Sequence, residues 1–472
     1  MIAMTLAEIA EVVRGTVVHD TGVTVTGAAF LDSRVAERDG LFVAVAGERV
    51  DGHDYAAAAV EAGAAAVLSA RDTGQPGIVV DDPVAALALL ARDSLSRLEG
   101  VRVVALTGSQ GKTSTKDLLA QVLAAAGGTV ATFGSFNNEL GLPLTVLRAT
   151  PATEFLVLEM GARHLGDLRA SCHVAPPDVA LVLNVGKAHL GEFGSQQAIA
   201  SAKGEIVEAL SEDGVAVLNA DDGLVAAMAS RTRGRVRTFG SSEDADVHYD
   251  DLALDDLGRP TFRLHADGGT ARVTLGLVGE HHAGNAAAAA AVALALGVRL
   301  DAVAGALGAA TATSPGRMQV RESPDGVTVI DDAYNANPDS MRAALKALAS
   351  VGRGRPGART VAVLGEMREL GADAQAEHDA VGRLAVRLDI HQLLVVGEPA
   401  RAMHLGALLE GSWGEESVFV ADAAAAESWL ADHLRPGDVV LFKASNAVRL
   451  SRLAETVAAG ALPNGTEQGS AR

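Results

Sequence analysis

Between Val103 and Leu119 an apolar run, Val103-Val104-Ala105-Leu106, passes through Thr107-Gly108-Ser109-Gln110-Gly111-Lys112-Thr113 into Ser114-Thr115-Lys116-Asp117-Leu118-Leu119. Strand, glycine-rich turn and helix in that order aim consecutive backbone N–H groups at one point. The positive end of the helix dipole reinforces them, so the segment reads as a phosphate cradle. Gly108, Ser109, Gln110, Gly111 and Ser114 supply its backbone, Lys112 reaches terminal phosphates, and the Thr113 hydroxyl suits Mg²⁺. The spacing departs from the general P-loop, which sets four residues between its first glycine and Gly-Lys. Here only Ser109 and Gln110 intervene. The string specifies a nucleotide but no reaction.

A chain of 472 residues is expected to hold about three domains of roughly 150 residues each. Aromatic residues are 3% of the total, so the cores must be built from Ala, Val and Leu. A formal net charge of −20 argues against nucleic acid or an anionic membrane as partner. An anionic substrate must therefore be met by locally placed Arg, Lys and helix N-termini. The single cysteine, Cys172, excludes an intrachain disulfide and fits a reducing compartment; it reads as a small buried residue. No basic segment followed by an apolar core opens the chain, and the Ala-rich run Ala286 to Leu296 is too short to span a bilayer. A cytoplasmic protein without membrane insertion is expected.

The pattern along the chain predicts an α/β fold. Residues 1–100 mix short strands (40–45, 65–68, 78–80) with helices, the first capped by Thr5. From 101 to 314, strands at 102–107, 155–159, 179–184 and 215–218 alternate with helices, implying a mostly parallel sheet covered on both faces. Strands near 236–239, 261–264 and 271–275 read as a β-rich insertion. Beyond the break at Thr313-Ser314-Pro315-Gly316-Arg317, strands at 327–331, 360–364, 393–396 and 438–442 give a second α/β unit over 315–458. A polar tail, 459–472, is expected to be disordered.

Several residues stand where chemistry is expected. Glu159 ends an apolar strand, and ligands of such sheets sit outside strand carboxyl ends; it suits Mg²⁺, although a surface charge fits the position equally well. His189 follows the next strand and has a metal or phosphate role or a plain loop position open to it. Lys203 reads as an exposed helical lysine with Glu205 and Glu208 beside it. Asn285 reads as a helix cap, and Arg317 as either a phosphate clamp or a solvated linker arginine. The string Asp331-Asp332-Ala333-Tyr334-Asn335-Ala336-Asn337-Pro338 concentrates polar groups at a strand end, costly unless solvated or ligand-bound. Leu364-Gly365-Glu366-Met367-Arg368-Glu369-Leu370-Gly371 repeats that design, with His378 following.

Together these strings resemble the Mur ligase family, the ATP-dependent amide-bond-forming enzymes of peptidoglycan synthesis. The short loop 107–113 matches theirs, and Asn137-Asn138-Glu139-x-Gly141-x-Pro143-Leu144 agrees. So do Asp32-Ser33-Arg34 and Gly47-Glu48-Arg49-x-Asp51-Gly52-His53. The resemblance spans the chain except its tail. It implies three domains: a small N-terminal α/β substrate domain, a central P-loop parallel-sheet ATPase domain and a C-terminal Rossmann-like α/β domain. Strings 331–338 and 365–371 point to the branch that joins D-alanyl-D-alanine to UDP-N-acetylmuramoyl-tripeptide.

Carried over position by position, the resemblance gives Lys112 and Thr113 the terminal phosphates of ATP and a first Mg²⁺. Glu159 and His189 would serve the metal sites. Lys203 matches a lysine that family members carbamylate near a second Mg²⁺. Asn285 would contact adenine, Arg317 a phosphate, and Asp332 the nucleotide. Ser33, Arg34, Gly47, Arg49, Asp51 and His53 fall where the UDP-sugar is held, and Asn137, Asn138, Tyr334, Asn335 and Asn337 fall on the substrate side. The catalytic set is thus Lys112, His189, Lys203 and Arg317, in an enzyme expected to be monomeric. Two positions depart from the family pattern: His282 stands where Asn is usual, and Asn446 where Arg is usual, with Arg449 nearby as a substitute.

The chemistry follows from the parts. A carboxylate does not accept an amine directly, so the resemblance implies that ATP first converts it to an acyl phosphate, which the amine of D-alanyl-D-alanine would attack with loss of phosphate. Positioning and electrostatics carry the rate and no protein nucleophile is needed. A neighbouring ligase that adds one amino acid, or glutamate to folate, shares the architecture but not strings 332–338 and 365–371. A P-loop switch or transport ATPase is the other class; the Asn-Lys-x-Asp base-recognition loop of a GTPase is missing from the sequence.

Overall fold

The structure is a computed structural model that describes residues 1–47, 50–186, 190–411 and 416–462. Arg49, His189 and the tail beyond Leu462 lie outside the described residues. Among the described residues three large sheets follow one another along the chain, with a two-stranded sheet of Met4–Thr5 and Thr24–Val25 beside the first. The first runs Thr16–Val18, Gly77–Val79, Ala66–Ser69, Leu41–Val43, Ala29–Phe30, parallel except for its first pair. The helix Leu6–Val13 packs on it and starts with a capping box. Thr5 Oγ1 accepts from Glu8 N–H at 3.3 Å, and the Glu8 carboxylate accepts from Thr5 N–H at 2.8 Å.

The central sheet has nine strands, in the order Gly269–Thr274, Pro260–Ala266, Val247–Leu254, Arg235–Gly240, Val215–Asn219, Val179–Val182, Arg102–Thr107, Phe155–Glu159, Thr129–Ala131. The seven from Val247–Leu254 onward are parallel. Alternate residues of the inner strands feed two cores. Val103, Ala105, Leu156 and Leu158 face one side, and Val104, Leu106, Val157 and Leu181 the other, which is why these strands read as continuous apolar runs. Arg102–Thr107 sends its chain outward to Thr129–Ala131 on one flank, while Val179–Val182 lies on its other flank. The P-loop therefore ends the strand at the sheet's topological switch point, where ligands of such folds bind.

The helix His281–Ala295 packs against Lys112–Ala124 and is buried on every side from Ala286 to Val292. Alanine suits such a helix, since small side chains let neighbouring backbones approach closely. The expected β insertion is instead the continuation of the central sheet. Val247–Leu254, its connecting strand, escaped the sequence pattern because its register shifts between Asp250 and Ala253 and Asp251 sits at φ 52°.

The C-terminal sheet runs Gln319–Glu322, Thr328–Asp331, Val439–Lys443, Thr360–Leu364, Gln392–Val396, Ser417–Val420. Only Gln319–Glu322 is antiparallel. Of its two edge strands, Gln319–Glu322 is mostly polar and Ser417–Val420 is a short run of four residues, and the sequence pattern marks neither as a strand. The last helix, Leu450–Ala458, is closed by N–H groups of Ala459, Gly460 and Ala461, and Leu462 packs on the core. The segment 459–462 thus belongs to the folded unit. Among the described residues no helix is long and apolar enough to cross a membrane.

Candidate active site

Gly111 is the N-cap of the helix Lys112–Ala124, at φ 78° and with no side-chain cap. The first-turn N–H groups of that helix are left for a ligand. A Cβ at Gly111 would stand 2.9 Å from Asn285 Oδ1, and one at Gly108 2.9 Å from Leu183 Cβ, so both positions are sterically tight, and Gly111 is required by its positive φ as well. Lys112 Nζ donates to the Gly108 carbonyl at 2.7 Å, folded back over the loop. Burial lowers its pKa; Glu159 opposes that shift and Arg317 adds to it.

The loop opens into a cleft of about 1040 Å³ that also receives Glu159, Lys203, Arg317, Tyr334, Asn335 and Asn337. Glu159 is 1% exposed. Asn137 Nδ2 donates to its Oε1 at 2.7 Å, while Oε2 is buried with no partner among the described residues. A buried carboxylate oxygen without a donor is costly, and here it looks toward a phosphate loop. The surface-charge alternative for Glu159 is thereby removed. The exposed-lysine reading of Lys203 fails as well, because the residue is 4% exposed on the inner face of Gln196–Glu208. Its pKa lies well below the ordinary lysine value, chiefly through burial and then through the charge of Lys112. Glu205, its supposed charge partner, instead accepts the N–H groups of Gly166 and Arg169 at 2.7 and 3.1 Å.

The C-terminal domain closes the other wall. Arg317 Nη2 donates to Thr113 Oγ1 at 3.3 Å, and its guanidinium lies 4.5 Å from the Tyr334 ring centroid. The linker-arginine alternative therefore gives way to a contact on the P-loop itself. Tyr334 OH hydrogen-bonds Ser135 Oγ, and Asn337 Nδ2 donates to Ser109 O at 3.5 Å. Asn337 also caps the helix Pro338–Gly354. Asp332 does not line the cleft; its Oδ2 accepts from buried Lys443 Nζ at 2.6 Å, and Lys443 also donates to the Asn335 carbonyl at 3.0 Å. The pair anchors the loop that presents Tyr334 and Asn335.

Asn285 is the fifth residue of its helix, whose N-cap is Glu280, so the cap reading is replaced by contact with Gly111. His282, at the departing position, is buried; its Nδ1 lies 3.4 Å from Asn285 Nδ2, and burial depresses its pKa well below the usual value. Cys172 is buried, and burial pushes its thiol up to about 12, which leaves no nucleophile there.

In the N-terminal domain, Asp32 caps the 3₁₀ turn Ser33–Val35 and binds Arg34 at 2.7 Å. His53 is buried, with Nδ1 2.6 Å from Asp51 and Nε2 accepting from Ala70 N–H at 3.0 Å. Neither this segment nor Gly47 borders the cleft among the described residues. From that domain it is lined by Asp82, Val84, Ala85 and Ala88. The sequence left three contributors unmarked: Arg163 and Ser135 on the cleft wall, and Asn184 under the loop. Asn184 had a detectable signal, as a polar residue closing an apolar strand.

Comparison with known proteins agrees with this geometry. Three family models match: Mur ligase family, catalytic domain over residues 16–94; Mur ligase middle domain over 106–293; and Mur ligase, glutamate ligase domain over 316–446. The chain is 51% identical to the UDP-N-acetylmuramoyl-tripeptide–D-alanyl-D-alanine ligase of Mycobacterium tuberculosis, across 97% of this chain and 98% of that one. Among solved structures it is similar to MurF from Acinetobacter baumannii, with a TM-score of 0.85, 32% identity, and 97% and 99% of the two chains covered. MurF ligase from Thermotoga maritima in complex with ADP matches at a TM-score of 0.78 and 34% identity, with 93% and 98% covered.

Proposed function

The chain belongs to the Mur ligase family, and from that premise we infer that the cleft between its central and C-terminal domains is where ATP drives formation of an amide bond. The enzyme is an ATP-dependent ligase that joins D-alanyl-D-alanine to UDP-N-acetylmuramoyl-tripeptide, yielding the pentapeptide precursor of peptidoglycan with ADP and phosphate. The observation that carries the assignment of the site is the meeting, in one cleft, of an uncapped helix after a glycine turn, a buried carboxylate with one oxygen unpartnered among the described residues, half-buried Lys112 and buried Lys203.

Each residue has a task that its surroundings support. The first-turn N–H groups and Lys112 hold the terminal phosphates, and Lys112 follows negative charge as the phosphoryl group moves to the acceptor carboxylate. Arg317, already on Thr113, moves to a phosphate when nucleotide enters, held in orientation by the Tyr334 ring. Asn285 lies beside the loop where a base would be contacted, and Asp332 acts through Lys443 and the 332–335 loop. Glu159 Oε2 and Thr113 Oγ1 are hard oxygen ligands that fit Mg²⁺. Among the described residues no cluster of three or more His, Cys, Asp or Glu could cage a metal; this fits an ion held largely by substrate phosphates. Bound there, Mg²⁺ supplies charge neutralisation during phosphoryl transfer. Burial lowers the Lys203 pKa and so favours its neutral amine, the form that adds carbon dioxide with release of a proton, and the carbamate formed would be an anionic oxygen ligand. The metal role of His189 is carried over from the resemblance alone.

Residues 1–100 hold the UDP-sugar through Ser33, Arg34, Gly47, Arg49, Asp51 and His53; 101–314 bind ATP; and 315–458 complete the site with Tyr334, Asn335 and Asn337. Asn137 and Asn138 belong to the acceptor side. The enzyme acts as a monomer in the cytoplasm. Phosphate release from ATP, measured with UDP-N-acetylmuramoyl-tripeptide and with or without D-alanyl-D-alanine, tests the function. Release and pentapeptide formation should need both substrates; release independent of both would overturn it.

A further inference from the structure

The two-residue glycine spacing has a counterpart in Asn184, just beyond the strand Val179–Val182. Asn184 Oδ1 accepts the N–H groups of Ser109 and Gln110, each at 3.0 Å, and its Nδ2 donates to the Gln110 carbonyl at 3.1 Å. The Asn184 backbone carbonyl accepts from Ser109 N–H as well, at 3.1 Å. One side-chain amide thus behaves as a peptide unit inserted beneath the loop. A P-loop of general spacing forms its nest from its own backbone. In this shortened loop, both N–H groups between the glycines are turned away from the cleft and committed to a neighbouring strand.

Asn184 is itself held in place. The Leu183 carbonyl accepts from Asn219 Nδ2 at 2.8 Å, Val185 N–H donates to Asp222 Oδ2 at 2.7 Å, and Gly186 N–H donates to Ser109 Oγ at 2.9 Å. The segment 183–186 is therefore a strap fixed on one side by the end of Val215–Asn219 and on the other by the P-loop. Gly111 and the first turn of Lys112–Ala124 then remain to offer N–H groups to a phosphate.

We propose that Asn184 is a positioning residue for the nucleotide: its amide closes the short loop and so sets where the N–H groups of residues 111–114 point. The proposal rests on the assignment of 107–114 to ATP. It is tested with Asn184→Ala and Asn184→Asp in the full chain, by steady-state kinetics in all three substrates and by calorimetric titration with ADP. Losing three hydrogen bonds at the loop should raise KM for ATP and Kd for ADP by about tenfold or more in the alanine variant. KM for UDP-N-acetylmuramoyl-tripeptide and for D-alanyl-D-alanine should stay within about twofold, a split that a general loss of folding would not produce. The near-isosteric aspartate keeps both accepted bonds but adds a negative charge beneath the phosphates. It should bind ADP more weakly than wild type, with a deficit that shrinks as salt is added, and it carries the test should the alanine variant not fold. An ADP affinity within about twofold of wild type in both variants, or a parallel rise of all three KM values, would overturn the proposal. Wild-type chain that binds no ADP at all would instead overturn the ATP assignment beneath it.

Discussion

The N-terminal motifs and the cleft both place polar side chains in the fold, yet they differ in how the hydrogen bonds of those groups are satisfied. His53, 8% exposed, has both ring nitrogens engaged within its own domain, and the Arg34 guanidinium beside Asp32 holds that carboxyl down to about 2. In the cleft, Glu159 keeps one oxygen without a donor among the described residues, and Lys203 has its pKa lowered chiefly by burial and then by the charge of Lys112. A fold tolerates such groups where a ligand completes them. The contrast separates polar groups answered within their own domain from polar groups left open in the cleft.

Substitutions can break or sharpen that contrast, and the largest effect is expected at Lys112. Lys112→Ala removes the charge that follows the phosphoryl group, so kcat should fall by about 10³-fold while the melting temperature holds or rises, since a desolvated ammonium is removed. Glu159→Gln retains an acceptor for Asn137 but loses the anionic oxygen. A fall in kcat of about 10²-fold, with saturation only at higher Mg²⁺, is the expected kinetic result; an unchanged Mg²⁺ dependence would return Glu159 to a structural role.

Lys203 makes a prediction in pH. Its folded pKa lies below the ordinary lysine value, so the neutral amine persists below that range. Activity supported by added bicarbonate should hold as pH falls from that range and be lost only when pH passes through the depressed value. Lys203→Ala should lose the bicarbonate response together with most of kcat. In the N-terminal domain, Arg34→Ala should raise KM for the UDP-sugar several-fold with kcat unchanged, the signature of binding shared by ground and transition states. A loss of kcat there would erase the distinction between the two regions.

The smallest effect is expected at His282. Its folded pKa is depressed by burial, so the unfolded chain binds the extra proton first. Stability is then present above the usual value near 6.5 and lost as pH falls toward the folded one. His282→Asn should flatten the acid side of a plot of melting temperature against pH by a few degrees, on the order of 1 kcal/mol in a chain of this size.

Much of this was legible in the residues because it is local. The loop 107–114 announces itself through backbone geometry that any strand–turn–helix with those glycines must adopt. The apolar runs of the central strands record burial on both sheet faces. The edge strand Gln319–Glu322 was illegible because Val320 is its one apolar residue, and Ser417–Val420 because it is short and its partner Gln392–Val396 lies a helix away along the chain.

The residues by themselves determined the phosphate loop, the α/β class and, through strings such as 331–338 and 365–371, the family. Only tertiary structure decided that Lys203 is buried, that Asp332 pairs with Lys443, that Asn285 touches Gly111, and that Asn184 fills the shortened loop. The physical reason is that burial and hydrogen-bond satisfaction are properties of packing between distant segments. A local pattern can place a charge at a strand end, but only the assembled fold says whether anything nearby answers it.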